Sequence, residues 1–142
     1  MDSVLLGTYK HGWEVNIKDK TITLYYLLNL VEKLNKTEQK HVISFESINN
    51  ILVSWCNVPV AYGNDQHFIN LTINLNNGEN VSFEGTKNDI IKQQFKEAII
   101  LLKSADVKFI DEYNLLESIL NTDKDIWSIL NDAELLRHKK EQ

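Results

Sequence analysis

Apolar and polar residues alternate through FINLTINL, residues 68–75. Ile69, Leu71, Ile73 and Leu75 fall on one side, and Asn70, Thr72 and Asn74 on the other. A period of two gives a strand one apolar face. Val81 and Phe83 resume the alternation after NNGEN. The two strands must match faces across the turn, so loop length decides the register. A two-residue Asn77-Gly78 loop would pair Leu75 with Asn80 and Ile73 with Ser82, leaving polar groups on the apolar face. A three-residue Asn76-Asn77-Gly78 loop pairs Leu75 with Glu79, Ile73 with Val81 and Leu71 with Phe83, and is therefore predicted. It places Gly78 in the left-handed region with a bulge beside it. The glycine thus has a backbone role. The stretch lacks the repeated glycines and following basic residue of a phosphate loop.

The rest of the chain reads less uniformly. Residues 3–9 and 13–17 form short strands around a His11-Gly12 turn. TITLYY, residues 21–26, is rich in strand formers, yet Leu24, Leu27, Leu28, Val31 and Leu34 recur at helical spacing. A helix is predicted over about 24–35 after a short extended piece, with a polar connector over 34–40. Residues 42–45 form a strand, and another lies within 48–56. There Ile51, Val53 and Trp55 share one face and Leu52, Ser54 and Cys56 the other, which predicts cover on both sides. Pro59 and Gly63-Asn64-Asp65 make 57–66 an irregular connection. Residues 88–104 carry the apolar stripe Ile91, Phe95, Ala98, Ile99 and Leu102 of a helix packed on the sheet. Thr86 with Asp89, or Asn88 alone, is its predicted cap. VKFID, residues 107–111, suggests one more short strand. Helices follow at 115–120 and 126–136, the second capped by Asp125.

These elements predict an α+β fold: an antiparallel sheet or bent barrel covered by an amphipathic helix, with additional C-terminal helices. The expected organisation is a β-rich core over 1–110 and an acidic helical extension over 111–142 packed on it. A length of 142 residues and a 43% hydrophobic content suit one globular domain without staples. The single cysteine, Cys56, excludes an intrachain disulfide and is expected in the core. MDSVLLGTYKHG does not resemble a signal peptide, and no apolar run reaches membrane-spanning length. A cytoplasmic location is expected, and the glycosylation-like triplets at Asn35, Asn70 and Asn80 are attributed to chance.

Charge placement sharpens the picture. The net charge is −5, and between Asp111 and Glu134 seven acids are opposed only by Lys124. Such a region repels nucleic-acid phosphates and anionic headgroups and suits a basic protein surface. His11, His41, His67 and His138 are widely separated, with neither an HExxH pair nor a Cys/His cluster, so no metal or cofactor is expected. No catalytic set emerges. The residues offered for protein binding are Tyr62, Asp65 and His67 in the long connection, with Asp111, Glu112, Glu117, Asp123 and Trp127 in the acidic region.

HVISFESINNILVSW, followed by LTINLNNGENVSFEG and FKEAIILLK, resembles bacterial pleckstrin-homology-like domains over residues 40–104. The resemblance implies a bent antiparallel barrel capped by a helix, which often binds proteins, peptides or lipids and has no catalytic residues. The leading expectation is a noncatalytic protein-interaction domain, in its specific form an acidic inhibitor or immunity-type protein masking a basic partner. Two alternatives stand beside it. One is a small-molecule enzyme using His67, Asp65 and Glu84 for proton transfer. The other is a membrane-associated module using Lys10, Lys18 and Lys20. The sequence carries no signal for oligomeric state.

Overall fold

A computed structural model describes residues 2–9, 11–26, 40–58, 66–86 and 89–141. Strands β1 (Ser3–Gly7), β2 (Gly12–Asn16), β3 (Thr21–Tyr25) and β4 (Lys40–Ser44) form one antiparallel sheet in chain order. A 3₁₀ turn at Phe45–Ser47 leads into the second sheet. That sheet has the order β7-β6-β5-β8, with β5 (Ile48–Val58), β6 (Gln66–Leu75), β7 (Asn80–Thr86) and β8 (Phe109–Ile110). Every pairing is antiparallel except β5 with β8, which is parallel. Helices α1 (Lys92–Ser104), α2 (Leu115–Asn121) and α3 (Ile126–Glu141) complete the α+β fold.

The hairpin has the register its faces demand. Ile73 pairs with Val81 and Leu71 with Phe83. The Leu75 N–H donates to the Glu79 carbonyl at 2.8 Å, and Gly78 has φ +91°. A second irregularity lies at the far end of the pair, where Asn70 meets Glu84 but Ile69 meets Thr86, so Gly85 is the extra residue.

The two sheets face each other across one core. Leu6, Trp13, Val15 and Ile22 come from the first, and Ile51, Ile69, Leu71 and Ile73 from the second. The α1 stripe joins them: Phe95, Ala98, Ile99 and Leu102 are fully buried, and the helix packs on β1, β2 and β7. Leu115, Leu116 and Ile119 of α2 and Ile126, Ile129, Leu130 and Ala133 of α3 belong to the same cluster. Burying each such large side chain stabilises the fold by about 1.5–3 kcal/mol.

Four expectations need correction. Leu24 and Tyr25 belong to strand β3, where Leu24 is buried against the core, so no helix begins at 24. The remainder of that predicted helix, from 27 onward, lies outside the described residues. The cap of α1 is Ile91 after a 3₁₀ turn, with no side-chain bond, and Thr86 is a buried strand residue. Strand β5 is covered on one face only: Ile51, Val53 and Trp55 are buried, while Leu52 is 38% exposed. Cys56, on that outer face, is partly exposed instead of lying in the core.

The outer face of the second sheet is polar and hydrogen-bonded to itself. The Asn74 amide donates to Asn50 at 2.7 Å, and the Thr72 and Ser82 hydroxyls meet at 2.8 Å. At the corner between the sheets, Asn76 donates from its backbone to Ser47 O (2.9 Å) and from its side chain to Glu46 O (2.8 Å).

Candidate protein-interaction site

Tyr62 and Asp65 lie outside the described residues. His67 is placed by its backbone, on β6 opposite Asn57. Of the proposed proton-transfer set, only Glu84 has a described side chain, and it is exposed on β7. Among the described residues, no group of three or more His, Cys, Asp or Glu is placed to hold a metal ion. Nor is any helix among them long and apolar enough to cross a membrane.

The five C-terminal candidates divide by what they already bond. Asp111 is structural: its carboxylate accepts the Leu115 and Leu116 N–H groups at 2.9 and 2.8 Å, satisfying the free amides at the start of α2. It is assisted by Asn114, which takes a left-handed conformation at φ 55° just before the helix. Glu112 pairs with Lys140 at 3.3 Å. Glu117 on α2 and Asp123 in the connector to α3 are exposed carboxylates. Trp127, in the first turn of α3, is 50% exposed, whereas its neighbour Ile126 is buried. This places it on the outward side of the helix.

Asp125 caps α3 as the sequence predicts, accepting the Ser128 N–H at 2.7 Å. The Ser128 hydroxyl and then its backbone N–H hold the Asp125 carboxyl below the usual carboxylate range. Lys124 pairs with Asp132 at 3.0 Å, and the Lys92 ammonium donates to the Lys124 carbonyl.

A second constellation fixes α3 to the sheet. The Trp55 indole N–H donates to Glu134 Oε2 at 2.7 Å, and the Arg137 guanidinium lies 4.5 Å over the Trp55 ring. Tyr113 meets the same ring edge-on at 5.1 Å, and Lys140 lies 4.8 Å over Tyr113. Arg137 also bonds Glu134, and His138 stands 3.5 Å from it. The bond from Arg137, then that from Trp55, hold the Glu134 carboxyl below its usual range. The spacing of Glu134, Arg137 and His138 at i, i+3 and i+4 is legible on a helix. Their partner Trp55, 79 residues away, is not.

Two hollows differ in place and lining. One, of about 470 Å³, is shallow and polar, lined by Lys103, Asp106, Asp111 and Glu117 among others. The larger, of about 510 Å³, opens at the Gly7–Gly12–Tyr25 end of the first sheet. Trp13, Leu24, Tyr25, Val81 and Phe83 make its walls mostly apolar, with His11 and His41 exposed at its rim. Beside it, Tyr25 donates to Glu14 at 3.2 Å. Burial first, and then the Glu14 charge, push the Tyr25 phenol up.

No family model matches the chain, and no curated protein or solved structure matches it.

Proposed function

We propose that this chain is a noncatalytic protein-interaction domain that meets a basic partner through its C-terminal helices. The observation that carries the reading is the company kept by Trp127. A half-exposed tryptophan stands beside a connector bearing the exposed Asp123, with the exposed Glu117 on the preceding helix. Exposed tryptophan supplies large anchoring area, and surrounding carboxylates select for basic surfaces. The helices are held rigidly by the Trp55–Glu134–Arg137 cluster and by the Asp111 and Asp125 caps. The order of elements supports a pleckstrin-homology-like scaffold: two antiparallel meanders joined at a corner, then a covering helix. A specific form of the proposal is an immunity-type inhibitor that masks a basic toxin.

Asp111 and Glu112 already serve the fold, so the informative variant is Glu117→Gln with Asp123→Asn, alongside Trp127→Ala. The tagged protein is expressed in its native cells and captured proteins are quantified by mass spectrometry. The expected result is one basic protein at near-stoichiometric yield, reduced with either variant while thermal unfolding of the carboxylate variant is unchanged. Two exposed ion pairs at about 0.5 kcal/mol each correspond to roughly fivefold in affinity. Undiminished capture by the carboxylate variant would reject the electrostatic mechanism. For the inhibitor form, co-expression should rescue cells from a neighbouring toxic gene product.

A further inference from the structure

We propose that the open edge of β7 and the apolar cavity beside it form a separate docking site. It takes an extended segment of a partner protein by strand addition, with apolar side chains entering the cavity and a Lys or Arg facing Glu84.

The backbone geometry comes first. Strand β7 is outermost in its sheet, and no described strand pairs with its other side. The bonded pair Leu75–Glu79 sets the phase of the ladder. Bonded pairs recur every second residue, at Ile73–Val81 and Leu71–Phe83. The N–H and C=O groups of Asn80, Ser82 and Glu84 therefore turn to the open edge.

The cavity abuts that edge. Val81, Ser82, Phe83, Glu84 and Gly85 all line it. A strand shows only alternate residues to a space on one of its faces. Five in succession border this one, the arrangement of a space that runs along the strand's edge. The opposite wall comes from the ends of β1–β4, including Trp13, Leu24 and Tyr25. An added strand would hydrogen-bond to β7 and direct alternate side chains into about 510 Å³ of apolar space. At Gly85 the carbonyl already accepts the Trp13 indole N–H at 3.0 Å, so the site ends there.

Composition and charge choose the occupant. Exposed edges are ordinarily guarded by lysine or proline. Residues 66–86 contain no Lys, Arg or Pro, and their only acids are Glu79 and Glu84, both on the β7 side of the hairpin. Among the described residues nothing guards the edge, and the charged side chains of the hairpin are both acidic, which complements a basic segment. The β1 edge differs, because α1 packs on it.

The test uses the full chain, a phage-displayed library of random dodecapeptides, and two variants. Ser82→Pro deletes an edge N–H that β6 does not use, and edge strands tolerate proline in that position. Ser82→Ala keeps the N–H. Enriched peptides are expected to alternate apolar residues and to carry Lys or Arg. They should bind Ser82→Ala like the wild type and Ser82→Pro about tenfold more weakly. In the wild type, the peptide should slow hydrogen exchange at the Asn80, Ser82 and Glu84 amides, a readout independent of how the proline variant folds. A library without binders, or protection confined to other amides, would overturn the proposal. So would peptides that a folded Ser82→Pro variant binds undiminished, or a wild-type dimer that Ser82→Pro makes monomeric, since the edge would then belong to a second copy. The Glu117/Asp123 variant leaves β7 intact, so failure at one site is distinguishable from failure at the other.

Discussion

Gly85 stands where the hairpin, α1 and the larger cavity meet, and Gly85→Ala tests whether that junction is packed tightly. A Cβ there would lie 3.1 Å from Phe95 Cε2 and 3.2 Å from Leu71 Cδ1 and Cγ. Carbon pairs prefer about 3.5–4.0 Å, so both contacts are compressed. Neither neighbour has room to yield: Phe95 and Leu71 are 0% exposed, and the Phe95 ring is set edge-on to Trp13 at 6.3 Å between centroids. Overpacking of this kind costs about 1–3 kcal/mol. Restricting the unfolded chain with alanine returns about 0.4–1 kcal/mol. These two effects leave a net loss of up to about 2.6 kcal/mol, read by urea denaturation as a lower midpoint with an unchanged slope. The second arm is Phe95→Leu, which removes the ring atom facing the new methyl. In that background Gly85→Ala should cost at least about 0.5 kcal/mol less than in the wild type. A stabilising Gly85→Ala, or strict additivity with Phe95→Leu, would refute the tight junction.

Other perturbations probe the turn and the α3 cluster. Nothing lies within 4 Å of a Cβ built at Gly78, so Gly78→Ala meets only the strain of φ +91°. That should cost about 1–2 kcal/mol, with Gly78→Asn costing less, as measured by thermal unfolding. For Glu134 the folded-state pKa is lowered, so its stabilising contribution is present above the ordinary value of about 4.3 and is lost as pH falls through the lowered one. Glu134→Gln should accordingly be less stable than the wild type at neutral pH. The gap should close on acidification below about pH 4, followed by denaturation at a series of pH values. A gap independent of pH would show that the carboxylate charge is not what holds Trp55 and Arg137 together.

Where local rules and burial agreed, the sequence was a good guide. The hairpin register followed from matching Ile73 with Val81 and Leu71 with Phe83, because a one-residue slip would expose the whole apolar face. The α1 stripe and the Asp125 cap were likewise local patterns. Leu24 misled because its helical spacing to later leucines competed with a β3 face built from Ile22 and Leu24. Periodicity alone does not arbitrate such a boundary. Cys56 and Leu52 misled because an apolar residue type says little about which sheet face is covered. The proposed surface was partly legible: Glu117, Asp123 and Trp127 are exposed, but Asp111 and Glu112 have structural partners that only folding reveals. The parallel β5–β8 pairing, the Trp55 cluster and the β7 edge depend on contacts distant in the chain, which leave no local pattern.

The corner contacts of Asn76 bear on how the molecule moves. Its two bonds to Glu46 and Ser47, with the Phe45 N–H bonded to the Lys20 carbonyl at 2.9 Å, join the β2–β3 turn, the inter-sheet corner and the β6–β7 turn. Within the first sheet this knot lies at the Asn16–Thr21–Ser44 end, and the larger cavity at the Gly7–Gly12–Tyr25 end. The cavity end has its own tie, because the Trp13 indole N–H on β2 donates to the Gly85 carbonyl on β7 at 3.0 Å, and the Trp13 and Phe83 rings meet edge-on at 5.1 Å. The two sheets are therefore fastened at both ends, by polar bonds at the corner and by an indole at the cavity. Asn76→Ala would undo the first fastening and leave the second, so the corner would loosen while the cavity wall at Trp13 kept its shape.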